Sequence, residues 1–372
     1  MWEQFDIVIM GGGINGCAIA RLLSQNGKKV CILERHTVGS GTSSNSSKLI
    51  HGGLRYLETG RVGLVQESLK DRKRLFELYP DLVEMVPFYL PVYNDSLRPW
   101  WIIRAGLGLY DLLSCQTKYH CRHISNTDFL NRFVGIKSRG LRRVYLYYDG
   151  KTNDLEMTRK MARDAVGFGC DIRENCQVFS INIDDKLIKI MYKNSRGEHK
   201  VGAPLLINAT GPWIDEVNVK YRLPHNYRIS KVSGVHIVLN RTLVPDCMFL
   251  QTYNRRIFFM IPWAEGRTII GTTERMERDS CDDVQIQDAD VKYLLDCANH
   301  YLQEPVSQDN ICDTFLGIRP LVRIKNADSD ATTMSRDYKI DVISKGKVKL
   351  IHVYGGKLTT CLSMSEKVAA RI

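Results

Sequence analysis

The stretch that decides the fold lies near the start of the chain and reads Phe5-Asp6-Ile7-Val8-Ile9-Met10-Gly11-Gly12-Gly13-Ile14-Asn15-Gly16. Its apolar part predicts a buried strand, and its glycines fit G-x-G-x-x-G at the turn into a helix. Residues 30–33 predict a second strand, and Glu34 follows it at the offset of a ribose-binding acid. Together these features predict a dinucleotide site, but they do not say which dinucleotide it binds.

Each glycine of this turn has a separate physical role. Gly11 permits a tight turn, Gly13 lets a pyrophosphate approach the backbone, and Gly16 lets the helix pack close to the strand. The pyrophosphate would lie at the positive end of the helix dipole. The carboxylate of Glu34 would accept hydrogen bonds from ribose hydroxyls.

Composition limits the class of protein. The chain has 372 residues, of which 44% are hydrophobic, so it can build one large core or two linked domains. Its net charge of +11 favours anionic partners, namely phosphorylated substrates, acidic lipid or nucleic acid, although a generally basic surface explains it as well. No nucleic-acid motif accompanies the charge, so we expect no nucleic-acid partner.

The cysteines and the N-terminus indicate a compartment. The 11 cysteines are scattered, with no C-x-x-C pair and no Cys/His cluster at zinc spacing, so we expect free thiols and no metal site. The first strand lies too close to Met1 for a signal peptide. We therefore expect a cytoplasmic protein, with a peripheral position on the inner face of the cytoplasmic membrane as the alternative.

The most apolar segment, residues 100–113, is rich in Trp, Leu and Ile and is interrupted by Arg104 and Asp111. It is shorter than the roughly 18 residues of a membrane-spanning helix. It predicts either an interfacial segment lying on a membrane or a buried helix of a cap domain. We favour the buried helix.

The rest of the chain changes from alternating strands and helices to a series of short strands. Predicted helices lie at 61–78, 154–167, 288–300 and after residue 360. Predicted strands lie at 143–148, 205–208, 234–239, 248–251, 257–261, 268–271 and 348–354, and a hairpin is predicted at 178–183 and 186–193. The proline-punctuated segment 87–99 is expected to cross between domains.

A glycine turn after an apolar strand occurs three times: at Gly11, at Gly211, and at Gly355-Gly356. In a doubly wound sheet, ligands lie outside the carboxyl ends of the strands. The three turns therefore predict the walls of one elongated cofactor site, with three ordinary turns as the alternative.

Several longer blocks carry a resemblance to a known family. The most specific is Ser46-Ser47-Lys48-Leu49-Ile50-His51-Gly52-Gly53-Leu54-Arg55-Tyr56-Leu57-Glu58. With the blocks at 11–16, 42–45, 208–213, 261–263, 270–273, 317–321, 335–338 and 354–360, the chain resembles the FAD-dependent, aerobic-type glycerol-3-phosphate dehydrogenases of the D-amino-acid-oxidase-like flavoprotein group. The blocks span almost the whole chain.

The resemblance implies an α/β fold in which a Rossmann-like FAD-binding domain is interleaved with an antiparallel-sheet substrate domain, as in glutathione reductase and D-amino-acid oxidase. The FAD-binding domain would comprise residues 1–86, 144–215 and 312–372. The substrate or cap domain would comprise 87–143 and 216–311. Relatives commonly continue with a further helical domain, which we expect to be absent from this sequence.

The resemblance also implies an FAD site across the first domain. The residues it assigns to FAD are Gly11, Gly13, Ile14, Asn15, Gly16, Glu34, Arg35, Thr42, Ser43, Ser44, Ser47, Lys48, Leu49, His51, Gly53, Val178, Ala209, Thr210, Gly211, Gly317, Arg319, Gly356, Lys357, Leu358 and Thr359.

The implied reaction is oxidation of sn-glycerol 3-phosphate to dihydroxyacetone phosphate by hydride transfer to FAD, with electrons passed to a quinone. The implied substrate residues are Arg55, Tyr56, His236, Thr272, Arg319 and Arg336, because arginines bind phosphate in a bidentate manner. His236 is the candidate general base, ahead of Glu274 and His51. Lys357 would stabilise negative charge, and Arg55 and Arg319 complete the catalytic set.

Two positions depart from the family pattern. Cys361-Leu362 stand where relatives usually have Tyr-Arg, and Glu274 stands where they usually have Asp.

Two rival functions remain: an oxidase that returns electrons to oxygen and a truncated, non-catalytic flavin-binding protein. An NAD-dependent dehydrogenase is weaker, because the turns at Gly211 and Gly355 have no place in it. The oligomeric state is not predicted.

Overall fold

The computed structural model describes residues 1–114, 118–252, 254, 256–324 and 337–372. Its strands are β1 (Glu3–Gln4), β2 (Ile7–Met10), β3 (Val30–Leu33), β4 (Leu49–Ile50), β5 (Val83–Tyr93), β6 (Arg122–Ile124), β7 (Leu141–Thr152), β8 (Asp171–Arg173), β9 (Gln177–Ile183), β10 (Ile188–Asn194), β11 (Gly197–Ala203), β12 (Leu205–Asn208), β13 (Tyr227–Leu239), β14 (Cys247–Gln251), β15 (Ile257–Trp263), β16 (Arg267–Gly271), β17 (Arg275–Glu277), β18 (Ile311–Ile324), β19 (Lys339–Lys345) and β20 (Val348–Tyr354). Its helices are α1 (Ile14–Gln25), α2 (Val62–Leu78), α3 (Trp100–Ser114), α4 (Asn126–Arg132), α5 (Asp154–Gly167), α6 (Ile214–Lys220), α7 (Asp288–Tyr301) and α8 (Cys361–Ala369). Within the described ranges, no helix is long and apolar enough to cross a membrane.

The first sheet has the strand order β19-β20-β12-β2-β3-β8 and is parallel except for β19. Ile7 pairs with Val30 on one side and with Leu205 on the other. Strands covered on both faces read as continuous apolar runs, which is why β2 and β3 could be recognised from the sequence. The predicted strand–turn–helix–strand unit is confirmed.

The two faces of this sheet pack against different partners, as the two-residue period of a strand requires. Ile7 and Ile9 lie in a core with α1, α5 and α8. Val8 and Met10 face the second sheet, whose order is β1-β11-β10-β9. The predicted hairpin is confirmed by the antiparallel pairing of β9 and β10.

The third sheet holds the predicted series of short strands and places them in the order β17-β13-β16-β15-β14-β5-β7-β4, with β18 beside β13 and β6 beside β7. It is largely antiparallel, as expected. The predicted helices at 61–78, 154–167 and 288–300 correspond to α2, α5 and α7.

More than half of the proline-punctuated segment 87–99 is a strand, and its expected crossing between domains stays a prediction. Residues 87–93 belong to β5, which pairs with β7 from Val83–Thr152 to Tyr93–Leu141. Phe88 and Leu90 face one core while Tyr89 and Tyr93 face another, so the strand is stabilised by burial on both faces despite its prolines. The proposed domain boundaries at 86/87 and 143/144 fall inside β5 and β7. The division into domains stays a prediction.

Helix α3 combines features of both interpretations of residues 100–113. Ile103, Leu107 and Tyr110 are buried against the third sheet. Trp101 and Leu112 are 58% and 73% exposed. The helix is therefore buried on one face, as we expected, whereas its other face is exposed and apolar.

Substitution of Gly16 tests how closely α1 packs against the turn at Gly11. A Cβ at position 16 would lie 2.0 Å from the carbonyl oxygen of Gly11, whereas a Cβ at Gly106 in α3 would meet nothing within 4 Å. We expect Gly16→Ala to lower the free energy of unfolding by about 1–3 kcal/mol through overpacking. Gly106→Ala should raise it by about 0.5–1 kcal/mol, because alanine favours the helix. Denaturant unfolding of the cofactor-free protein measures the free energy of unfolding of both variants. Equal changes in the two variants would contradict the close packing of α1 at Gly16.

Candidate active site

A cavity of about 740 Å³ begins at the carboxyl ends of β2, β12 and β20 and extends to β13 and β18. It is lined by the turns at Gly11, Gly211 and Gly355-Gly356 together, which confirms that the three predicted turns meet. Most of the predicted site residues line it, although they are spread over more than 300 positions. These are Gly11, Gly13, Ile14, Asn15, Glu34, Arg35, Thr42, Ser43, Ser47, Leu49, His51, Gly53, Arg55, Tyr56, Val178, Ala209, Thr210, Gly211, His236, Thr272, Gly317, Arg319, Gly356, Lys357, Leu358 and Thr359.

The turn at Gly11 has no room for a side chain. Its φ is +103°, and a Cβ there would lie 2.6 Å from the carbonyl oxygen of Ala209. The amide of Gly11 donates a hydrogen bond of 3.0 Å to Leu33, and Ala209 donates one of 2.9 Å to Met10. The first two glycine turns are therefore locked together by backbone contacts.

Glu34 lies at one end of the cavity and is oriented before any ligand binds. Its carboxylate accepts hydrogen bonds from the amides of Gly12 at 2.6 Å and His36 at 2.8 Å. Nearby, Arg35 makes a bidentate pair with Asp282 at 2.7 and 2.9 Å. The expected ribose-binding acid is thus fixed at the edge of the cavity.

The loop after residue 41 connects the N-terminus of α1 to β18. Ser43 accepts a hydrogen bond of 2.9 Å from the amide of Ile14, and Thr42 donates one of 2.9 Å to the carbonyl of Ile318. Lys48 points elsewhere, because its ammonium forms a 2.6 Å ion pair with the fully buried Asp154. These contacts place Ser43 and Thr42 along the cavity and Lys48 outside its lining.

His236 lies on β13 towards the other end. Its ring is stacked on Phe315, with centroids 4.6 Å apart and an interplanar angle of 11°, and its Nε2 is 2.9 Å from Ser47 Oγ. Burial, and then the positive charges of Arg319 and Lys48, hold the pKa of His236 well below its usual 6.5. In the described part of the chain, its Nδ1 has no hydrogen-bond partner. A neutral imidazole with an available nitrogen can accept a proton.

Arg55 and Arg319 meet at the same end around a carboxylate. Glu274 Oε1 lies 3.7 Å from Arg55 and 4.0 Å from Arg319, and Arg319 donates a hydrogen bond of 3.2 Å to Thr272. The ammonium of Lys357 lies 3.9 Å from the centre of the Tyr56 ring. Two guanidinium groups therefore lie near one carboxylate, and Lys357 adds a third cation to the cavity lining, which makes this end suited to an anion.

Three of the predicted residues that the structure describes do not line the cavity. Gly16 packs behind the turn, Ser44 binds the carbonyls of Ser40 and Gly41, and Lys48 pairs with Asp154. Arg336 lies outside the described residues. Their predicted roles stay predictions.

Gly234, Phe249 and Phe259 line the cavity but were not predicted from the sequence. Gly234 leaves space for the side chains of Thr272 and Arg319, because a Cβ at position 234 would lie 2.5 Å from Thr272 Oγ1 and 2.8 Å from the Arg319 guanidinium. No local sequence signal marks it. Phe249 and Phe259 also line the cavity. They lie in short predicted strands, but which strand face meets the cavity depends on the sheet order.

The geometry fits FAD by three observations. Gly13 caps α1 without a side-chain hydrogen bond, and the first turn of α1 holds no acidic residue, so its N-terminus can receive a pyrophosphate. Asn15 Oδ1 beside it is buried and, among the described residues, lacks a hydrogen-bond partner. The cavity then joins this anion site to Glu34 on one side and to the cationic end on the other.

Glu34→Ala tests the ribose end. Removing an acceptor of charge-assisted hydrogen bonds costs about 1.5–3 kcal/mol, so we expect FAD affinity to fall about ten- to a hundred-fold. Glu198→Ala, at an exposed position on β11, should leave affinity unchanged. Quenching of FAD fluorescence by the cofactor-free protein measures both dissociation constants. Unchanged affinity in Glu34→Ala would refute the assignment.

Comparisons with known proteins identify the family. The family described as "DAO: FAD dependent oxidoreductase" matches residues 6–371. The chain is 33% identical over 375 residues to the aerobic glycerol-3-phosphate dehydrogenase of Escherichia coli (strain K12), covering 100% of this chain and 74% of that protein. It is 32% identical over 383 residues to the glycerol-3-phosphate dehydrogenase of Pseudomonas aeruginosa, with 100% and 72% covered.

Solved structures confirm the expected fold class. The glycerol-3-phosphate dehydrogenase from Bacillus halodurans complexed with FAD matches with a TM-score of 0.78 and 23% identity, over 99% of this chain and 64% of that chain. The dithionite-reduced L-alpha-glycerophosphate oxidase from Mycoplasma pneumoniae, with FAD bound, matches with a TM-score of 0.78 and 17% identity, over 99% and 94%. The family match covers nearly every residue, and the cavity fits the cofactor. This protein therefore belongs to the DAO family of FAD-dependent oxidoreductases.

Proposed function

We propose that this protein oxidises sn-glycerol 3-phosphate to dihydroxyacetone phosphate. The observation that carries the proposal is the meeting of Arg55, Arg319 and His236 in the cavity, at the end away from Glu34. The names of the relatives from Escherichia coli and Pseudomonas aeruginosa support the same substrate. In the reaction, the C2 hydrogen leaves with two electrons and the C2 hydroxyl loses its proton, so C2 becomes a carbonyl.

Arg55 and Arg319 are proposed to bind the phosphate of the substrate. Guanidinium groups recognise phosphate through paired hydrogen bonds, and Glu274 lies near both groups in the absence of ligand. Thr272, which accepts a hydrogen bond from Arg319, and Tyr56 would complete the contacts. Arg336 is proposed as a third phosphate ligand from its sequence block alone.

His236 is proposed to take the proton of the C2 hydroxyl. Its pKa, held well below 6.5, leaves the imidazole neutral at pH 7 but also a weak base. This role therefore requires that bound substrate raise the pKa of His236 towards neutrality, where a general base works best. Its stacking on Phe315 fixes the plane of the ring. Lys357 is proposed to stabilise negative charge that develops nearby. The cavity-lining residues assigned to FAD by resemblance, apart from Arg319, are proposed to hold it along the cavity, where it supplies the two-electron acceptor.

Arg319→Ala tests the phosphate role. Loss of a charge-assisted pair costs about 1.5–3 kcal/mol, so we expect KM for glycerol 3-phosphate to rise about ten- to a hundred-fold while bound FAD stays stoichiometric. Arg323→Ala is the matched control, since Arg323 lies on the same strand but is exposed and outside the cavity lining. Dye-coupled turnover at varied substrate concentration measures both. A normal KM in Arg319→Ala would remove this arginine from the phosphate site.

A quinone is proposed as the electron acceptor, reached at an anionic lipid surface. The outer face of α3 exposes Trp100, Trp101 and Leu112. The guanidinium of Arg143 lies 4.8 Å from the centre of the Trp100 ring, so a cation borders the apolar patch. Tryptophan beside arginine is typical of helices that lie in the membrane interface, where anionic headgroups attract the charge.

The double variant Trp101→Ser and Leu112→Ser tests this surface. We expect it to lose cosedimentation with phosphatidylglycerol–phosphatidylethanolamine vesicles and reduction of a long-chain quinone in them, because apolar area and headgroup contacts are lost. Its turnover with a soluble dye should stay normal. Val134→Ser with Val219→Ser is the control, since these valines are 74% and 69% exposed elsewhere.

Two results would contradict the acceptor proposal. One is equal loss of vesicle binding in the control variant. The other is formation of one hydrogen peroxide per substrate in air without any quinone reduction, which would favour the oxidase.

A further inference from the structure

A buried polar network of Arg72, Tyr110 and Asp149 lies beside the cavity, with Asp149 in the cavity lining, and is not used by the proposed reaction. Arg72 is 2% exposed and donates hydrogen bonds to Asp149, at 2.5 Å, and to the carbonyl of Tyr148, at 2.9 Å. Tyr110 Oη lies 2.7 and 2.9 Å from the two carboxylate oxygens of Asp149. The guanidinium of Arg72 also lies 5.8 Å from the centre of the Tyr110 ring. Burial of an ion pair is costly unless its groups are fully hydrogen-bonded, so this arrangement calls for a role.

The hydrogen-bonded network of Arg72, Asp149 and Tyr110 reaches the backbone of the cavity wall at Gly52. The amide of Gly52 donates a hydrogen bond of 2.8 Å to Tyr110 Oη. A Cβ at position 52 would lie 2.5 Å from that same oxygen, so the glycine permits the close approach. Burial raises the pKa of Tyr110 well above its usual 10, which keeps the phenol protonated and able to donate to Asp149.

The segment held in this way leads directly into substrate-end residues. His51 and Gly53 on either side of Gly52 line the cavity, and the amide of His51 donates to Thr359 Oγ1 at 3.2 Å. Gly53, with φ +78°, begins the short 3-10 helix Leu54–Thr59 that carries Arg55 and Tyr56. The turn is therefore anchored on one side by Thr359 and on the other by Tyr110.

We propose that Tyr110 is a positioning residue: it holds Gly52, and through Gly52 the turn that carries Arg55, at the candidate active site. Asp149 and Arg72 fix the phenol, and the phenol is the nearer acceptor of the Gly52 amide, at 2.8 Å, with Asp149 Oδ1 as a second acceptor at 3.4 Å. This inference rests on the proposed function for its link to turnover. It makes helix α3 part of the support of the active site as well as part of the surface.

Tyr110→Phe tests the proposal by removing only the hydroxyl. We expect KM for glycerol 3-phosphate and the dissociation constant for inorganic phosphate each to rise roughly ten-fold, with kcat and FAD content little changed. Hydrogen exchange of the backbone amides at 49–56 should accelerate. Tyr93→Phe is the matched control, because its buried hydroxyl donates at 2.8 Å to the carbonyl of Lys137, away from the cavity.

Faster exchange at 49–56 with weaker phosphate binding in Tyr110→Phe alone supports the proposal. Normal phosphate affinity in Tyr110→Phe, or an equal loss in Tyr93→Phe, overturns it. If the wild-type protein does not oxidise glycerol 3-phosphate, the proposed function fails, but exchange and phosphate affinity still decide whether Tyr110 positions the turn.

Discussion

The contact between two glycine turns is the constraint on which the rest of the site depends. Gly11 and Ala209 approach so closely that a single added carbon at position 11 would overlap a backbone oxygen. The approach is possible because β2 and β12 are parallel neighbours in register, with their carboxyl ends at the same edge of the sheet. Without it, the N-terminus of α1 and the turn at Gly211 would not face one ligand.

Charge is distributed along the cavity in a way that suits a long cofactor and a small anion. One end has a carboxylate held by backbone amides, and the other has Arg55 and Arg319 near Glu274, with Lys357 against the Tyr56 ring. Two buried ion pairs lie beside the cavity: Lys48 with Asp154, and Arg72 with Asp149. Removing one partner of such a pair costs about 3–5 kcal/mol, so the segments that carry these residues are held firmly. Rigid support lets the arginines and His236 bind without reorganising first.

The sequence was informative where structure is local or repeats a strong pattern. The strands at 7–10 and 30–33 and the glycine turns could be predicted, because continuous apolar runs and fixed glycine offsets have few alternatives. Most of the cavity lining was assigned only through the resemblance to the family. The strand β5 was not predicted, since prolines interrupt its sequence, whereas burial on both faces stabilises it. Gly234 and Tyr110 were missed for another reason. Their roles come from contacts with Arg319 and Gly52, and only the sheet order and helix packing bring those residues together.

Anaerobic addition of glycerol 3-phosphate to the FAD-loaded protein tests the central claim most directly. If the cationic end receives the phosphate and His236 takes the proton, the visible absorbance of the flavin should bleach. About one dihydroxyacetone phosphate should then form per flavin reduced, and glycerol without phosphate should have little effect. If a protein with stoichiometric FAD keeps its full flavin absorbance under excess glycerol 3-phosphate, the assignment of this cavity as a glycerol-3-phosphate-oxidising site is wrong.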